Sequence, residues 1–269
     1  MASRTDLMRL LLTNDDGISS PVLGRIAEAL ASEHEVVVVA PSTDQSGKSH
    51  SFTHGPHRLL HYQREKEAGY PAYQVQGTPS DCVKFAITHL FRGKPFDIVV
   101  SGINIGENAG VSSVYSGTVA AAREAALWKV PGLAVSLWHT ASDHLEHALL
   151  WLRALLKQPA LLPQPGEYFN INFPPCPVSE IAGTQIAEMS EVMFTDGYFP
   201  ETDHHGITGF KLEGRKPVEA FLPGTDDFAL SQGFIAIVPM RIGNTYDDGL
   251  RRLRNQTAPL ANLTRAFSP

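Results

Sequence analysis

Short apolar runs alternate with stretches in which apolar residues recur every three or four positions. Arg9 to Thr13 reads as a strand. Ser20-Pro21 then offers an N-cap and a proline at the first helical position, and Val22, Leu23, Ile26, Ala27 and Leu30 follow at helical spacing. Val36 to Ala40 is continuously apolar, as expected of a parallel strand covered by helices on both faces. Tyr73 to Val75 is a weaker strand, and Thr78-Pro79-Ser80-Asp81 after it has the residues of a capping box. Ile98 to Val100 is the next strand, followed by a long loop and a helix from Val119 to Trp128. Strands at Leu133 to Leu137 and Phe169 to Phe173 flank a helix from Leu145 to Leu156. Strand, helix, strand, repeated in this way, predicts an α/β fold with a doubly wound, mainly parallel sheet.

From about Gly183 the pattern changes. Alternating residues, glycines and prolines predict hairpins and extended arms, until Gly233 to Pro239 supplies one more apolar strand returning to the main sheet. The expected organisation is a core over residues 8–182 and a hairpin or arm region with a returning strand over 183–255, as parts of one unit. No internal repeat or low-complexity segment is visible. Pro159 to Gly166 is the most linker-like stretch and is short enough to be a loop.

Composition narrows the class. The 269 residues can bury a large core, and 43% hydrophobic with 19% charged residues is ordinary for a globular chain. A net charge of −6 argues against a nucleic-acid partner gripped through its phosphates. No apolar run approaches the ~18 residues that span a membrane, and the first apolar stretch breaks at Asn14-Asp15-Asp16, unlike a signal peptide. Two cysteines, Cys82 and Cys176, imply no disulfide framework and suit a reducing cytoplasm.

Candidate chemistry lies just after the strands. Asp15 and Asp16 end the first, where two adjacent carboxylates are costly unless something positive is held there. Ser46 follows the second strand, and Asn104 follows the one ending at Val100. In an open α/β sheet the carboxyl ends of parallel strands line one ligand-binding edge. That edge can supply two carboxylates, a hydroxyl and an amide oxygen, an all-oxygen set suited to Mg²⁺ or Mn²⁺. Next to it, Tyr115-Ser116-Gly117-Thr118 opens an alanine-rich helix whose first N–H groups form a ready anion site. A helix terminus gives an anion at most about 2 kcal/mol, whereas phosphate monoester hydrolysis can need acceleration near ~10²¹. A metal must therefore do most of the work, by neutralising phosphoryl oxygens and activating a water.

Taken together, Met8-Arg9-Leu10-Leu11-Leu12-Thr13-Asn14-Asp15-Asp16-Gly17, Ala40-Pro41 with Gln45-Ser46-Gly47, Gly77-Thr78-Pro79-Ser80-Asp81-Cys82-Val83, Ser101-Gly102-Ile103-Asn104 with Gly106 and Asn108, and Tyr115-Ser116-Gly117-Thr118-Val119 strongly resemble the SurE (survival protein E) family. Gly224-Thr225-Asp226 and the Gly233 to Met240 strand look like its carboxyl-terminal signature. The resemblance implies a metal-dependent 5′-nucleotidase and acid phosphatase with a Rossmann-like core. It also implies a protruding carboxyl-terminal part that makes homodimers or homotetramers. By the same resemblance, the metal ligands fall on Asp15, Asp16, Ser46 and Asn104, and the phosphate contacts on Ser116, Gly117 and Thr118, with Asn108 as a helper. Two departures stand out. The family usually has an acid in the loop before Tyr-Ser-Gly-Thr, where this chain reads Gly110-Val111-Ser112-Ser113-Val114, and Ala236-Ile237-Val238-Pro239-Met240 replaces its Ser-Ile-Thr-Pro-Leu.

Blander readings accompany each residue. An acidic pair at a strand end also suits a turn, and Asn104 alone suits a turn as well. Ser116 to Thr118 suit plain helix capping, and Thr78 with Asp81 reads as helix-start chemistry. Cys82 is expected to be buried. His50, His54, His57 and His61 mimic a metal box by spacing, but Gly55-Pro56 interrupts any common helix, so they read as solvated loop residues, with His50 a candidate neighbour of the substrate. Asp203-His204-His205 falls in the arm and reads as an interface or adventitious metal contact rather than a catalytic cluster. The expected activity is a phosphomonoesterase using one divalent cation and a metal-activated water on nucleoside 5′-monophosphates, with Asp15, Asp16 and Asn104 at the catalytic centre; 3′-nucleotides and polyphosphate are further candidate substrates. The alternatives are an aspartyl-phosphate phosphatase with Asp15 as nucleophile, a signalling receiver, and a nucleotide-binding regulator without turnover. The first expects its two aspartates one residue apart, and the second needs an aspartate after the third strand that Ser101-Gly102-Ile103-Asn104 lacks.

Overall fold

The structure is a computed structural model that describes residues 7–65, 69–138, 142–203 and 205–255. Its strands are β1 (Arg9–Thr13), β2 (Glu35–Pro41), β3 (Tyr62–Glu65), β4 (Ala72–Val75), β5 (Ile98–Ile105), β6 (Gly132–Leu137), β7 (Glu167–Phe173), β8 (Gly183–Ile186), β9 (Gly197–Thr202), β10 (Thr208–Glu213) and β11 (Phe234–Arg241). Its α-helices are α1 (Pro21–Ala31), α2 (Pro79–Phe85), α3 (Ser112–Tyr115), α4 (Gly117–Leu127), α5 (Ser142–Leu156), α6 (Asp226–Ser231) and α7 (Asp247–Arg254).

Alternation along β1 sorts its leucines onto the two faces of the sheet. Leu10 and Leu12 join Leu23, Ile26 and Leu30 of α1 and Leu149 and Leu152 of α5 in one cluster. Leu11 joins Val37, Val39, Cys82 and Val83 with Ala121 and Ala125 of α4 in the other. Each fully buried leucine contributes about 2 kcal/mol, and β2 is buried at every position after Glu35. The alanines of α4 let that helix lie close to the sheet. A Cβ on Gly132 would meet the Ala122 carbonyl oxygen at 2.4 Å, so the approach requires glycine there.

The main sheet runs β3-β4-β2-β1-β5-β6-β7-β11-β8. Every pairing from β4 to β7 is parallel. The chain winds from β1 outward through β2 to β4, then returns to β5 on the other side of β1, so the β1–β5 boundary is the topological switch point where such sheets bind ligands. The expected doubly wound α/β fold is therefore observed. β11 returns to the sheet, antiparallel to β7 and parallel to β8. β9 and β10 form a separate antiparallel hairpin. Among the described residues no helix is long and apolar enough to cross a membrane.

Local differences from the sequence pattern have local causes. β3 is an exposed edge strand, Tyr-Gln-Arg-Glu, whose solvated faces leave no apolar alternation to read. β5 continues past Val100 through an irregularity between Gly102 and Asn104, so Asn104 sits at a strand end rather than in a loop. The short helix α3 breaks the loop that follows. Ser20 precedes α1 without a side-chain cap bond, while Thr78 and Asp81 complete the capping box of α2.

Candidate active site

The loop after β1 is drawn against the loop after β2 by backbone bonds: Gln45 N–H donates to the Asp15 carbonyl at 2.7 Å, and Ile18 N–H to that of Pro41 at 2.7 Å. The β2 loop is tied onward, since Ser49 donates from its amide to the Tyr115 carbonyl at 2.9 Å and from its hydroxyl to that of Val114 at 2.7 Å. Three loops distant in sequence thus close around the switch point. Between them lies a cavity of about 320 Å³. Asp15, Ser46, Asn104, Asn108 and Ser116 line it, five of the residues expected at the site. Gly47, Ile105, Ser112, Tyr115 and Phe194 complete the lining.

Asp15 is the anchor. It is 3% exposed, and Thr118 donates to it twice, from the hydroxyl to Oδ1 at 2.6 Å and from the amide to Oδ2 at 3.2 Å. Thr118 is fully buried and does not line the cavity; its donors hold Asp15 instead. Gly117 serves the same contact, because a Cβ there would lie 2.9 Å from the Asp15 Cβ. Ser116 caps α4 by accepting from Val119 N–H at 3.1 Å. The start of α4 therefore stabilises a carboxylate of the protein, as a helix terminus does for any anion. A hydroxyl that accepts in this way keeps its own proton for donation.

The remaining expected ligands are held by their neighbours. Asn104 Nδ2 donates to the Gly106 carbonyl at 2.7 Å, which leaves Oδ1 as its acceptor. Ser46 donates from Oγ and from its amide to Asp44 Oδ1, at 2.6 and 2.7 Å. Asn108 is latched at three points: its amide donates to Asn172 Oδ1 at 2.8 Å, its carbonyl accepts from Asn170 Nδ2 at 2.8 Å, and its Nδ2 donates to Ser136 Oγ at 2.9 Å. Asp16, the next residue after Asp15, is half-buried and does not line the cavity.

The electrostatics are one-sided. Burial pushes the Asp15 carboxyl above the usual range against the pull of its Thr118 bonds. Burial, then Asp15, then Asp44 push Asp16 up to about 6. Among the described residues the cavity lining holds no lysine or arginine. A phosphate dianion would be repelled by such a pocket unless a cation stood between it and the carboxylates. The donor set fits a hard divalent cation: two carboxylates, the free amide oxygen of Asn104 and a serine hydroxyl, all oxygen. No group of three or more His, Cys, Asp or Glu converges among the described residues.

Other expected residues lie elsewhere. His50 pairs with the buried Glu124 at 2.7 Å, so it is not a solvated loop histidine. His54, His57 and His61 are exposed, as expected. Asp81 accepts from Thr53 amide and hydroxyl, both at 2.8 Å, beyond its capping role. Cys82 is fully buried, and burial raises its thiol well above the usual range. His204 lies outside the described residues. Phe194 was missed because it lies far along the chain with no motif around it. Asn170 and Asn172 did carry a signal, as paired polar residues on one face of an otherwise apolar strand.

The model of the family described as Survival protein SurE matches residues 10–196. A protein of Pseudomonas fluorescens named 5′-nucleotidase SurE is 37% identical over 247 residues, covering 91% of this chain and 97% of its own. Another of that name from Nitratidesulfovibrio vulgaris is 39% identical over 252 residues, covering 91% and 98%. Among solved structures, the SurE protein from Aquifex aeolicus superimposes with a TM-score of 0.74 at 27% identity, covering 93% of this chain and 99% of that one.

Proposed function

Because the chain belongs to the SurE family, as its match over residues 10–196 establishes, we propose that it is a metal-dependent phosphomonoesterase that hydrolyses nucleoside 5′-monophosphates. One observation carries this reading: among the described residues the switch-point cavity presents carboxylate, amide and hydroxyl oxygens without a lysine or arginine, beside the start of α4. Asp15, Asp16, Ser46 and Asn104 are the residues that would hold the cation. When bound, Mg²⁺ or Mn²⁺ supplies charge neutralisation at the phosphoryl oxygens and a lowered pKa for water.

The chain's own groups bind and orient the ester. Ser116 donates its free hydroxyl proton to a phosphoryl oxygen, and the second Nδ2 hydrogen of Asn108 does the same from the facing loop. Gly117 and Thr118 act at the phosphate end through the helix start they build. Thr118 fixes the orientation of Asp15 through both oxygens. Ile105, Tyr115 and Phe194 form the less polar wall, where the nucleoside lies. Residues 8–182 carry this catalytic core and residues 183–255 the hairpin with its returning strand. Self-association into a dimer or tetramer through β9 and β10 is supported by the exposed Tyr198, Phe199, Phe210 and Leu212. Cys82 and Cys176 are free thiols, which suits a cytoplasmic setting.

The deciding experiment is phosphate release from a panel of 5′- and 3′-nucleotides with each of several divalent metals. Steady turnover of adenosine 5′-monophosphate that stops on chelation and returns with Mg²⁺ or Mn²⁺ is the expected result. Stoichiometric nucleotide binding without release of phosphate would favour the regulator that the missing acid near Ser112 suggests.

A further inference from the structure

Lys216 is 8% exposed, in the segment between β10 and α6. Its ammonium donates to the Ala109 carbonyl at 2.7 Å and to Asp227 Oδ1 at 2.9 Å, and lies 3.3 Å from Glu107 Oε1. Three oxygens thus meet the three donors an ammonium has. Glu107 in turn accepts from the Ala109 amide at 2.7 Å and from the Ser112 hydroxyl at 3.3 Å. On another side the ammonium stands 5.3 Å from the centre of the Phe194 ring. Ser112 and Phe194 both line the cavity, as does Asn108, the residue just before Ala109. A single buried cation therefore joins the loop that carries Asn108 to the aromatic wall contributed from far along the chain.

A buried charge cluster adds little net stability, because desolvation offsets the attraction between its members. What such a cluster does supply is one arrangement of the groups it joins, since any other leaves a buried charge without a partner. We propose that Lys216 is a positioning residue for the phosphate side of the pocket: its ammonium fixes the turn from Glu107 to Ser112 against Phe194, and with it the placement of Asn108. The proposal rests on the phosphomonoesterase reading of the same cavity. Lys216 touches no reacting atom; it acts through Ala109, Glu107 and Phe194.

The test compares full-length wild type with Lys216→Arg, Lys216→Met and the double variant Lys216→Met with Asp227→Asn, all loaded with Mn²⁺. Lys216→Met is expected to weaken inorganic phosphate binding about tenfold and to lower kcat/KM for adenosine 5′-monophosphate about 30-fold, while Mn²⁺ affinity changes less than about twofold. The double variant keeps the wild-type net charge and regains its thermal midpoint. It stays weak for phosphate, because the bond to the Ala109 carbonyl is still missing. Lys216→Arg keeps donors at that place and recovers most of the phosphate affinity.

Wild-type phosphate affinity in the double variant overturns the proposal, since it would show that only stability had been at stake. So does a loss of Mn²⁺ binding in step with phosphate, or failure of Mn²⁺-loaded wild type to bind phosphate at all. Wild type that binds phosphate but releases none from the nucleotide removes the enzymatic reading alone. The phosphate affinities of the four proteins then still decide the role of Lys216.

Discussion

On one side of the pocket Asp15 is held by Thr118 and backed by Gly117, residues at the start of the helix that packs against β5 and β6. On the other side, the turn from Glu107 to Ser112 is held by side chains from much farther along the chain. Asn170 and Asn172 latch Asn108, Asp226 accepts from Gly110 N–H at 2.7 Å, and Lys216 takes the Ala109 carbonyl. The first wall follows from the βαβ winding itself, in which a crossover brings a helix start to a strand end. The second is completed only when the segment carrying Lys216 and Asp226 has come back beside the sheet. It should therefore be softer, and changes to it should act on affinity and stability more than on the chemistry.

That contrast can be broken most sharply at Asp15. Asp15→Asn is expected to lower kcat by about 10³-fold or more and to weaken Mn²⁺ binding, with the circular dichroism spectrum unchanged; a variant that keeps wild-type turnover would end the ligand assignment. Gly117→Ala comes next. Its Cβ must displace Asp15, so a loss of about 10²-fold in kcat is expected with KM nearly constant, read by steady-state kinetics. On the opposite wall, Asp226→Asn weakens the acceptor for the Gly110, Ser190 and Asp227 amides. It should cost about 1–3 kcal/mol in denaturant unfolding and raise KM several-fold, with kcat within about threefold.

The smallest effect is one of pH. In the metal-free protein Asp16 is raised from 3.8 to about 6, so between these values the folded state binds more protons than the unfolded chain. Stability from this group is therefore greatest below 3.8 and is lost as pH rises through about 6, by of order 1 kcal/mol after solvent screening. A bound cation reverses the preference by favouring the carboxylate. The gain in thermal midpoint on adding Mn²⁺ should accordingly widen from pH 5 to pH 7, and a constant gain would show that Asp16 does not meet the metal.

Much of this could be read along the chain. The leucines of β1, the continuous valines of β2 and the helical spacing of α1 each state their burial locally. Asp15, Ser46, Asn104, Asn108 and Ser116 could be picked out as one cavity's lining because they follow strands or open a helix in a recognisable motif. Thr118 was found for the same reason, but its donors turn inward to Asp15, a direction that spacing cannot report. His50 looked like a loop residue because Glu124, its partner, lies far away in sequence. Edge strand β3 was invisible because exposure on both faces erases the alternation that marks a strand.

The amino-acid order by itself determined the doubly wound sheet, its two apolar layers and the presence of an oxygen-rich edge, because burial on a helix or strand is written in periods of a few residues. Only the tertiary structure decided that Phe194 walls the pocket, that Thr118 serves Asp15, and that Lys216, Asp226 and Asp227 gather behind the Asn108 turn. Those pairings join residues whose separation along the chain carries no period. They depend on which loops the sheet order brings together, and a buried charge or amide reveals its partner only once water has been excluded around both.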